Sequence, residues 1–302
     1  MNALSLKSRQ LVVVLLLFFG YAAYYFCRAD LSVSTPLIIE ELARHGVSPD
    51  VAIVRVGTIS SVGVLAYALG KFFLCGLGDL WGGKPSFLIG LGGAFAFTLL
   101  FAAGGTLPVF TLAWICNRLT QSIGWAGLIK VSSRWFDFRS YGTIIGLLSL
   151  SYLVGDALAR QGMGMLISHG SDWRTLFWFA AGVAGALLAA NLLFLHESRA
   201  GLGLGEATVN PGNLFAGDDA TPPSIRRLIV PLLKSRAFIV ICLLSFGCTI
   251  VRETFNTWTP VYLRSHIGFS TGSAASLSAI FPAVGAVSVL FVGWLSDRMG
   301  LG

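Results

Sequence analysis

Eight stretches of the chain are long and apolar enough to cross a lipid bilayer as helices. They lie at residues 11–36, 52–76, 86–105, 108–132, 141–168, 174–196, 236–263 and 273–295. Inside hydrocarbon, every backbone N–H and C=O must be bonded within the chain, so such stretches fold as helices. Only 12% of the residues are charged and the mean hydropathy is +0.77. We therefore predict an all-α membrane protein with the lipid bilayer as its surroundings, and exclude an ordinary soluble enzyme or a nucleic-acid partner.

One long connection interrupts the series of spans. Residues 197–235 are rich in glycine, proline and aspartate, a composition that is typical of a linker. We expect three parts: a six-helix bundle at 1–196, the linker at 197–235, and the start of a second bundle at 236–302. Because only two spans follow the linker, we expect a fragment or a truncated product.

A short loop motif occurs twice and indicates an internal repeat. An Asp-x-x-Gly element with an upstream glycine follows the second span at Gly76 and Asp79, and returns after the eighth at Gly293 and Asp297. This spacing predicts two parallel six-span repeats whose loop motifs act in conformational change.

The distribution of basic residues predicts the orientation. With the N-terminus inside, eleven lysines and arginines fall in inner segments and four in outer ones. Since basic residues collect in cytoplasmic loops, we expect a multi-pass protein of the bacterial inner membrane with a cytoplasmic N-terminus and a cytoplasmic linker.

Six basic residues lie at membrane depth, where each costs about 2.5–3.5 kcal/mol on insertion scales. They are Arg28, Lys71, Arg118, Lys130, Arg160 and Arg252. Asp156 and Arg160 are four residues apart, which predicts an ion pair on one helix face. We expect Arg118 and Lys130, near the ends of the fourth span, to reach the interface or to pair locally. The intramembrane acids Asp30, Asp156 and Glu253 are candidates for a structural or proton-coupling role.

Three of the six basic side chains have no predicted partner, namely Arg28, Lys71 and Arg252. Glu253 follows Arg252 directly, so on a helix the two point about 100° apart and need not neutralise each other. Tyr21 and Tyr25 share a helix face with Arg28, and Asn256 shares one with Arg252, while Trp125 shares a face with Gln121 on the fourth span. Such stripes line wet cavities more often than they face lipid. Two guanidinium forks suit a dianion, so we predict an anionic substrate, most economically a phosphate.

At these residues the chain resembles the major facilitator superfamily, specifically its organophosphate:phosphate antiporter branch. The resemblance rests on the segments 20–28 and 70–72, on Gln121 to Trp125, and on Arg252 with 258–263. It implies that Arg28 and Arg252 hold the phosphate and that Lys71, Tyr25 and Trp125 belong to the same site. It also implies a substrate-site position for Tyr152, where family members carry a histidine, whereas Asp156 adds an acid.

The resemblance implies a secondary transporter of organic phosphates, of the sugar phosphate or glycerol phosphate class, that exchanges them for inorganic phosphate. The alternatives are a membrane sensor of a sugar phosphate and a proton-coupled symporter of another organic anion. No nucleophile–base set or metal-ligand cluster emerges from the sequence, so we predict neither an enzyme nor a cofactor or metal site. We expect the full-length protein to be a monomer.

Overall fold

A computed structural model describes residues 5–74, 81–208 and 233–298. Within these ranges the chain forms ten α-helices and no strand. They are α1 (Leu6–Arg44), α2 (Pro49–Leu74), α3 (Gly83–Ala103), α4 (Leu107–Gln121), α5 (Gly124–Trp135), α6 (Phe138–Ser168), α7 (Trp173–Phe194), α8 (Arg236–Tyr262), α9 (Thr271–Ser278) and α10 (Ile280–Arg298). A 3₁₀ turn at Ala200–Leu202 and a π-helical turn at Leu263–Ile267 complete them.

Seven of the eight predicted spans coincide with helices that are long and apolar enough to cross a membrane. The exception is 108–132, which a turn at Ser122 and Ile123 divides into α4 and α5. The Ser122 hydroxyl donates to the carbonyl oxygen of Leu119 at 2.6 Å, and its backbone N–H donates to the same oxygen at 3.2 Å. This local bonding replaces the α-helical hydrogen-bond pattern over one turn and so divides the span into two helices.

Local sequence signals set the turn between the two long helices α6 and α7. Gly170 has a φ of +85°, a left-handed conformation that glycine adopts without steric cost. Asp172 then caps α7, its carboxylate accepting the backbone N–H of Thr175 at 3.0 Å. The short turn returns the chain antiparallel to α6.

Small residues let the helices of the first bundle touch backbone to backbone. α1 packs against α6 and α7, while α3 packs against α4, α5 and α7. A Cβ at Gly155 of α6 would lie 2.6 Å from the carbonyl oxygen of Ala22 on α1. A Cβ at Gly127 of α5 would lie 2.5 Å from the backbone nitrogen of Phe87 on α3. Any side chain at these two positions would collide with the neighbouring backbone, so the close helix contacts require glycine. Close approach of this kind stabilises the packing of membrane helices.

Helices α8, α9 and α10 attach to the C-terminal halves of α1 and α6. Ser32 of α1 donates to the carbonyl oxygen of Asn256 on α8 at 2.5 Å, and Arg264 pairs with Glu40 at 3.2 Å. α9 and α10 lie along α6, where a Cβ at Gly164 would come within 3.0 Å of an α9 carbonyl oxygen. The two groups of helices therefore meet closely at this end of the molecule.

At the opposite end, Glu197 fixes the start of α3. Its carboxylate accepts the backbone N–H groups of Gly83 at 2.8 Å and Lys84 at 2.5 Å. It also pairs with Arg134 at the end of α5. An acid at a helix N-terminus satisfies free N–H groups and opposes the helix dipole. The segment that follows α7 thus joins α3 to α5.

A second anchor lies beside it, where Asp137 precedes α6. Its carboxylate accepts from Arg199 at 2.9 and 3.2 Å and from the backbone N–H of Thr208 at 2.8 Å. The Arg199 hydrogen bonds, followed by those of Thr208, lower the pKa of the Asp137 carboxyl to about 2. This contact holds Arg199 and Thr208 against the start of α6.

Candidate functional site

A cavity of about 70 Å³ lies between helices α1, α2, α4 and α6 on one side and α8 and α10 on the other. Its wall is formed by α1, α2, α4, α6, α8 and α10. Among the described residues, the wall contains six charged side chains: Arg28, Arg118, Arg160, Arg252, Asp156 and Glu253. Four cations against two acids leave the lining with an excess of two positive charges. A small cavity with a cationic lining at membrane depth is a candidate site for an anion.

Arg28 is oriented from two helices. Its Nε donates to Oε1 of Gln121 on α4 at 2.7 Å, and its Nη1 donates to the Tyr25 hydroxyl at 3.2 Å. Gln121 is itself fixed, since its Nε2 donates to Oδ1 of Asn117 at 2.5 Å. The guanidinium carbon lies 4.3 Å from the centre of the Tyr67 ring. These contacts leave Arg28 positioned but without an ion-pair partner among the described acids.

Arg252 is paired, contrary to the expectation from the sequence. Its Nη2 lies 3.3 Å from Oε1 of Glu253, although the two residues are neighbours on α8. Both side chains are long enough to bend towards each other across the 100° that separates them. The Arg252 side chain is 48% exposed, so the pair is weak and exchangeable.

The predicted pair between Asp156 and Arg160 is confirmed. Nε of Arg160 lies 2.9 Å from Oδ1 of Asp156, and both side chains are almost completely buried. Arg160 also donates to the Ser278 hydroxyl at 3.1 Å and to the carbonyl oxygen of Asn256 at 2.9 Å. One arginine of α6 therefore joins α8 and α9 at the closed end of the cavity.

The structure brings together most of the residues that the sequence assigns to the site. Arg28, Tyr25, Tyr152, Asp156, Arg252, Glu253 and Asn256 all line the cavity. Tyr25 and Tyr152 pack with their ring centres 5.4 Å apart, which places α6 against α1 at this point. The side-chain oxygen of Asn256 is buried and has no hydrogen-bond partner in the described part of the chain.

Four predicted residues lie outside the described lining. Lys71 is exposed, with its Nζ 5.1 Å from the centre of the Tyr67 ring, so it stands at the edge of the site. Tyr21 and Trp125 pack on each other with ring centres 5.2 Å apart, behind Tyr25. Asp30 is fully buried, and its Oδ1 accepts the backbone N–H of Leu31 at 2.7 Å.

Arg118 is the residue that the sequence reasoning placed wrongly. Instead of reaching the interface or pairing locally, it is only 6% exposed and lines the cavity. It forms no ion pair with a described residue, and its guanidinium lies 5.2 Å from the Tyr67 ring. The sequence could have indicated this position, because Arg118 lies one turn before Gln121 on the same helix face. Gln121 in turn contacts Arg28.

The two loop motifs are described only in part. Gly76 and Asp79 lie outside the described residues. Gly293 and Asp297 belong to the backbone of α10, near its end. Their role in conformational change therefore stays a prediction.

The chain is similar to a known protein family and to several curated transporters. The sequence profile of the Major Facilitator Superfamily matches residues 17–302. A probable hexose phosphate transport protein of Chlamydia trachomatis is 25% identical over 300 residues, covering 95% of this chain and 64% of the relative. The glycerol-3-phosphate transporter of Haemophilus influenzae is 24% identical over 311 residues, covering 94% and 62%. A probable L-galactonate transporter of Escherichia coli is 27% identical over 300 residues, covering 97% and 62%.

Solved structures agree on the fold. A bacterial homologue of the human lysosomal transporter Spinster, in an inward-facing and unoccupied conformation, superposes with a TM-score of 0.67 at 17% identity, covering 97% of this chain and 63% of that one. A D-xylose-proton symporter gives 0.66 at 13% identity, covering 95% and 69%. At these identities the likeness concerns the fold alone. The chain spans less than two thirds of the length of the curated relatives that it matches.

Proposed function

Because the chain belongs to the Major Facilitator Superfamily, we propose that it forms the substrate-binding part of a secondary transporter of organic phosphates. The observation that carries the proposal is the cavity, to which α1 and α8 each contribute an arginine and whose lining has a positive excess. Guanidinium groups match the planar, multi-oxygen surface of a phosphate better than any other side chain. Relatives named for hexose phosphate and glycerol-3-phosphate support the class of substrate.

In this proposal the substrate phosphate bridges Arg28 and Arg252. Tyr25, Tyr152 and Asn256 contact the rest of the substrate, Lys71 lies at the rim, and Tyr21 and Trp125 support Tyr25 from behind. The anion offsets the repulsion between the arginines and displaces Glu253 from Arg252. An empty cavity keeps like charges facing each other, which disfavours closure without substrate. Such a site exchanges one phosphate compound for another, with inorganic phosphate as the counter-substrate.

Alternating access follows from the contacts around the cavity. The predicted bundle at 1–196 and the helices from 236 onward rock about the site, with 197–235 as the joint. With the N-terminus in the cytoplasm, the C-terminal ends of α1 and α6 face outward. In this orientation the Ser32 and Arg160 bonds to α8 lie on the outer side of the cavity, which supports an inward-facing state in this proposal.

A second candidate is a proton-coupled symporter of a sugar acid. Two observations favour it: the 27% identity to a relative named for L-galactonate, and the acid Asp156 in the cavity wall. A carboxylate substrate needs one arginine fork rather than two. The two candidates therefore differ in ligand charge and in the need for Arg252.

Direct binding separates the candidates. The purified chain in lipid nanodiscs should bind glycerol-3-phosphate or glucose-6-phosphate more tightly than L-galactonate. Arg28→Lys and Arg252→Lys should each weaken phosphate-ester binding about tenfold or more, or roughly 1.4 kcal/mol per decade, because a point charge cannot replace the bidentate fork. The double variant should lose less than the sum, since both residues hold one ligand.

Arg55→Lys is the matched control, because Arg55 is exposed on α2 and outside the described cavity lining. It should bind as the parent does. Tight binding of L-galactonate with no affinity for phosphate esters would favour the symporter. If both arginine variants bind phosphate esters as tightly as the parent, the paired-arginine site is refuted.

A further inference from the structure

Arg118 is a buried cation whose charge no described side chain neutralises. It is 6% exposed, and its Nε has no hydrogen-bond partner among the described residues. The buried acid Asp30 of α1 forms no ion pair with it: Oδ1 of Asp30 accepts the backbone N–H of Leu31, and Oδ2 has no hydrogen-bond partner among the described residues. Arginine stays protonated at every accessible pH, so burial cannot remove this charge. A counter-anion from outside the chain would offset the free-energy cost of burying the Arg118 charge.

The surplus charge of the cavity is concentrated on α1 and α4. Arg160 is paired with Asp156 at 2.9 Å, and Arg252 has the weaker, half-exposed partner Glu253 at 3.3 Å. The remaining two cations of the lining are Arg28 and Arg118.

Both of these guanidinium groups lie on one aromatic ring. The Tyr67 ring centre is 4.3 Å from Cζ of Arg28 and 5.2 Å from Cζ of Arg118, and Nζ of Lys71 lies 5.1 Å away at the rim. An aromatic face attracts cations weakly, and one ring cannot neutralise several of them. Tyr67 thus holds two like charges side by side at the cavity wall.

We propose that Arg118 is a phosphate ligand and that, with Arg28, it forms a subsite selective for dianions over Tyr67. This inference rests on the proposed function and adds to it a third arginine and a charge preference. A phosphate monoester carries close to two negative charges above its second pKa, about 6, and one below it. The two negative charges of the dianion therefore match the two positive charges that the cavity lining has in excess. Arg118 acts as a specificity-determining residue that favours the dianion over monoanions.

The test measures glycerol-3-phosphate affinity of the chain in nanodiscs at pH 5 and pH 7.5. In the parent, affinity should rise with pH as the ligand becomes a dianion. Arg118→Gln should weaken binding about tenfold or more at pH 7.5 and abolish most of this rise. Arg118→Lys should keep part of the rise but bind more weakly than the parent. Arg55→Gln removes the same charge from an exposed position and should change neither value.

Thermal unfolding without ligand distinguishes binding from structure. Because Arg118 has no acid partner among the described residues, Arg118→Gln should unfold at the same temperature as the parent or at a higher one. A lower unfolding temperature together with an unchanged pH profile of ligand affinity would indicate a structural role and overturn the proposal. If Arg118→Gln does not fold, parent-like affinity and pH profile in Arg118→Lys refute it instead. Loss of binding in Arg28→Gln with parent-like binding in Arg118→Gln excludes Arg118 alone. If the parent binds no phosphate ester, the proposed function itself fails.

Discussion

Replacing Arg160 by methionine should destabilise the chain more than any exposed ion-pair variant. The change leaves Asp156 buried without its partner at 2.9 Å, with the two side chains only 3% and 7% exposed. Removing one member of a buried pair costs about 3–5 kcal/mol. The variant also loses the hydrogen bonds to Ser278 and to the carbonyl of Asn256, at about 0.5–1.5 kcal/mol each. Unfolding in mixed detergent micelles, followed by circular dichroism, measures the change.

A second variant separates the ion pair from the other bonds. Asp156→Asn combined with Arg160→Met leaves no uncompensated charge, so it should recover stability and retain a loss of about 1–3 kcal/mol from the two hydrogen bonds. Arg264→Met is the control, because its pair with Glu40 is 42% and 45% exposed and worth about 0–1 kcal/mol. The reasoning is refuted if Arg160→Met costs no more than Arg264→Met, or if the double variant is as unstable as the sum of the singles.

Three further outcomes are expected. Gly155→Ala should destabilise the chain by about 1–3 kcal/mol, because the added Cβ meets the α1 backbone. Gly146→Ala is the control and should not destabilise it, because Gly146 has open space around it. The unfolding midpoints of the two variants measure the difference. The contact of Asp137 with Arg199 should persist down to about pH 4 and weaken towards pH 2. The Asp137 carboxylate stabilises the fold fully above the pKa that it has in the unfolded chain, and this stabilisation is lost as the pH falls to its folded pKa of about 2. A spin label in the adjoining 197–235 segment reports the release, and Asp137→Asn should abolish the pH dependence. Protease should cut 197–235 in inside-out vesicles only, and cleavage from the outside would contradict the orientation.

Much of the fold was predictable because the bilayer imposes a local rule. A run of about twenty apolar residues must be helical wherever it packs, so span positions follow from composition alone. The pair of Asp156 and Arg160 was equally accessible, since residues four apart on one helix meet by geometry. The break at Ser122 was not, because a serine within a span continues the helix or bends it depending on its neighbours.

From the amino-acid sequence alone, the all-α membrane fold and the positions of most spans were predictable, whereas the anionic ligand that the arginines suggest stays a prediction. Only the packed helices show which of these charges have an acid partner. Arg28 and Arg118 converge on Tyr67 from separate helices, while Arg252 turns to its neighbour Glu253. Helical periodicity fixes the height of a residue along its own helix, but only the packing of α1, α2 and α4 fixes the rotation of each helix about its axis. That rotation placed Arg118 in the cavity and Lys71 at its rim.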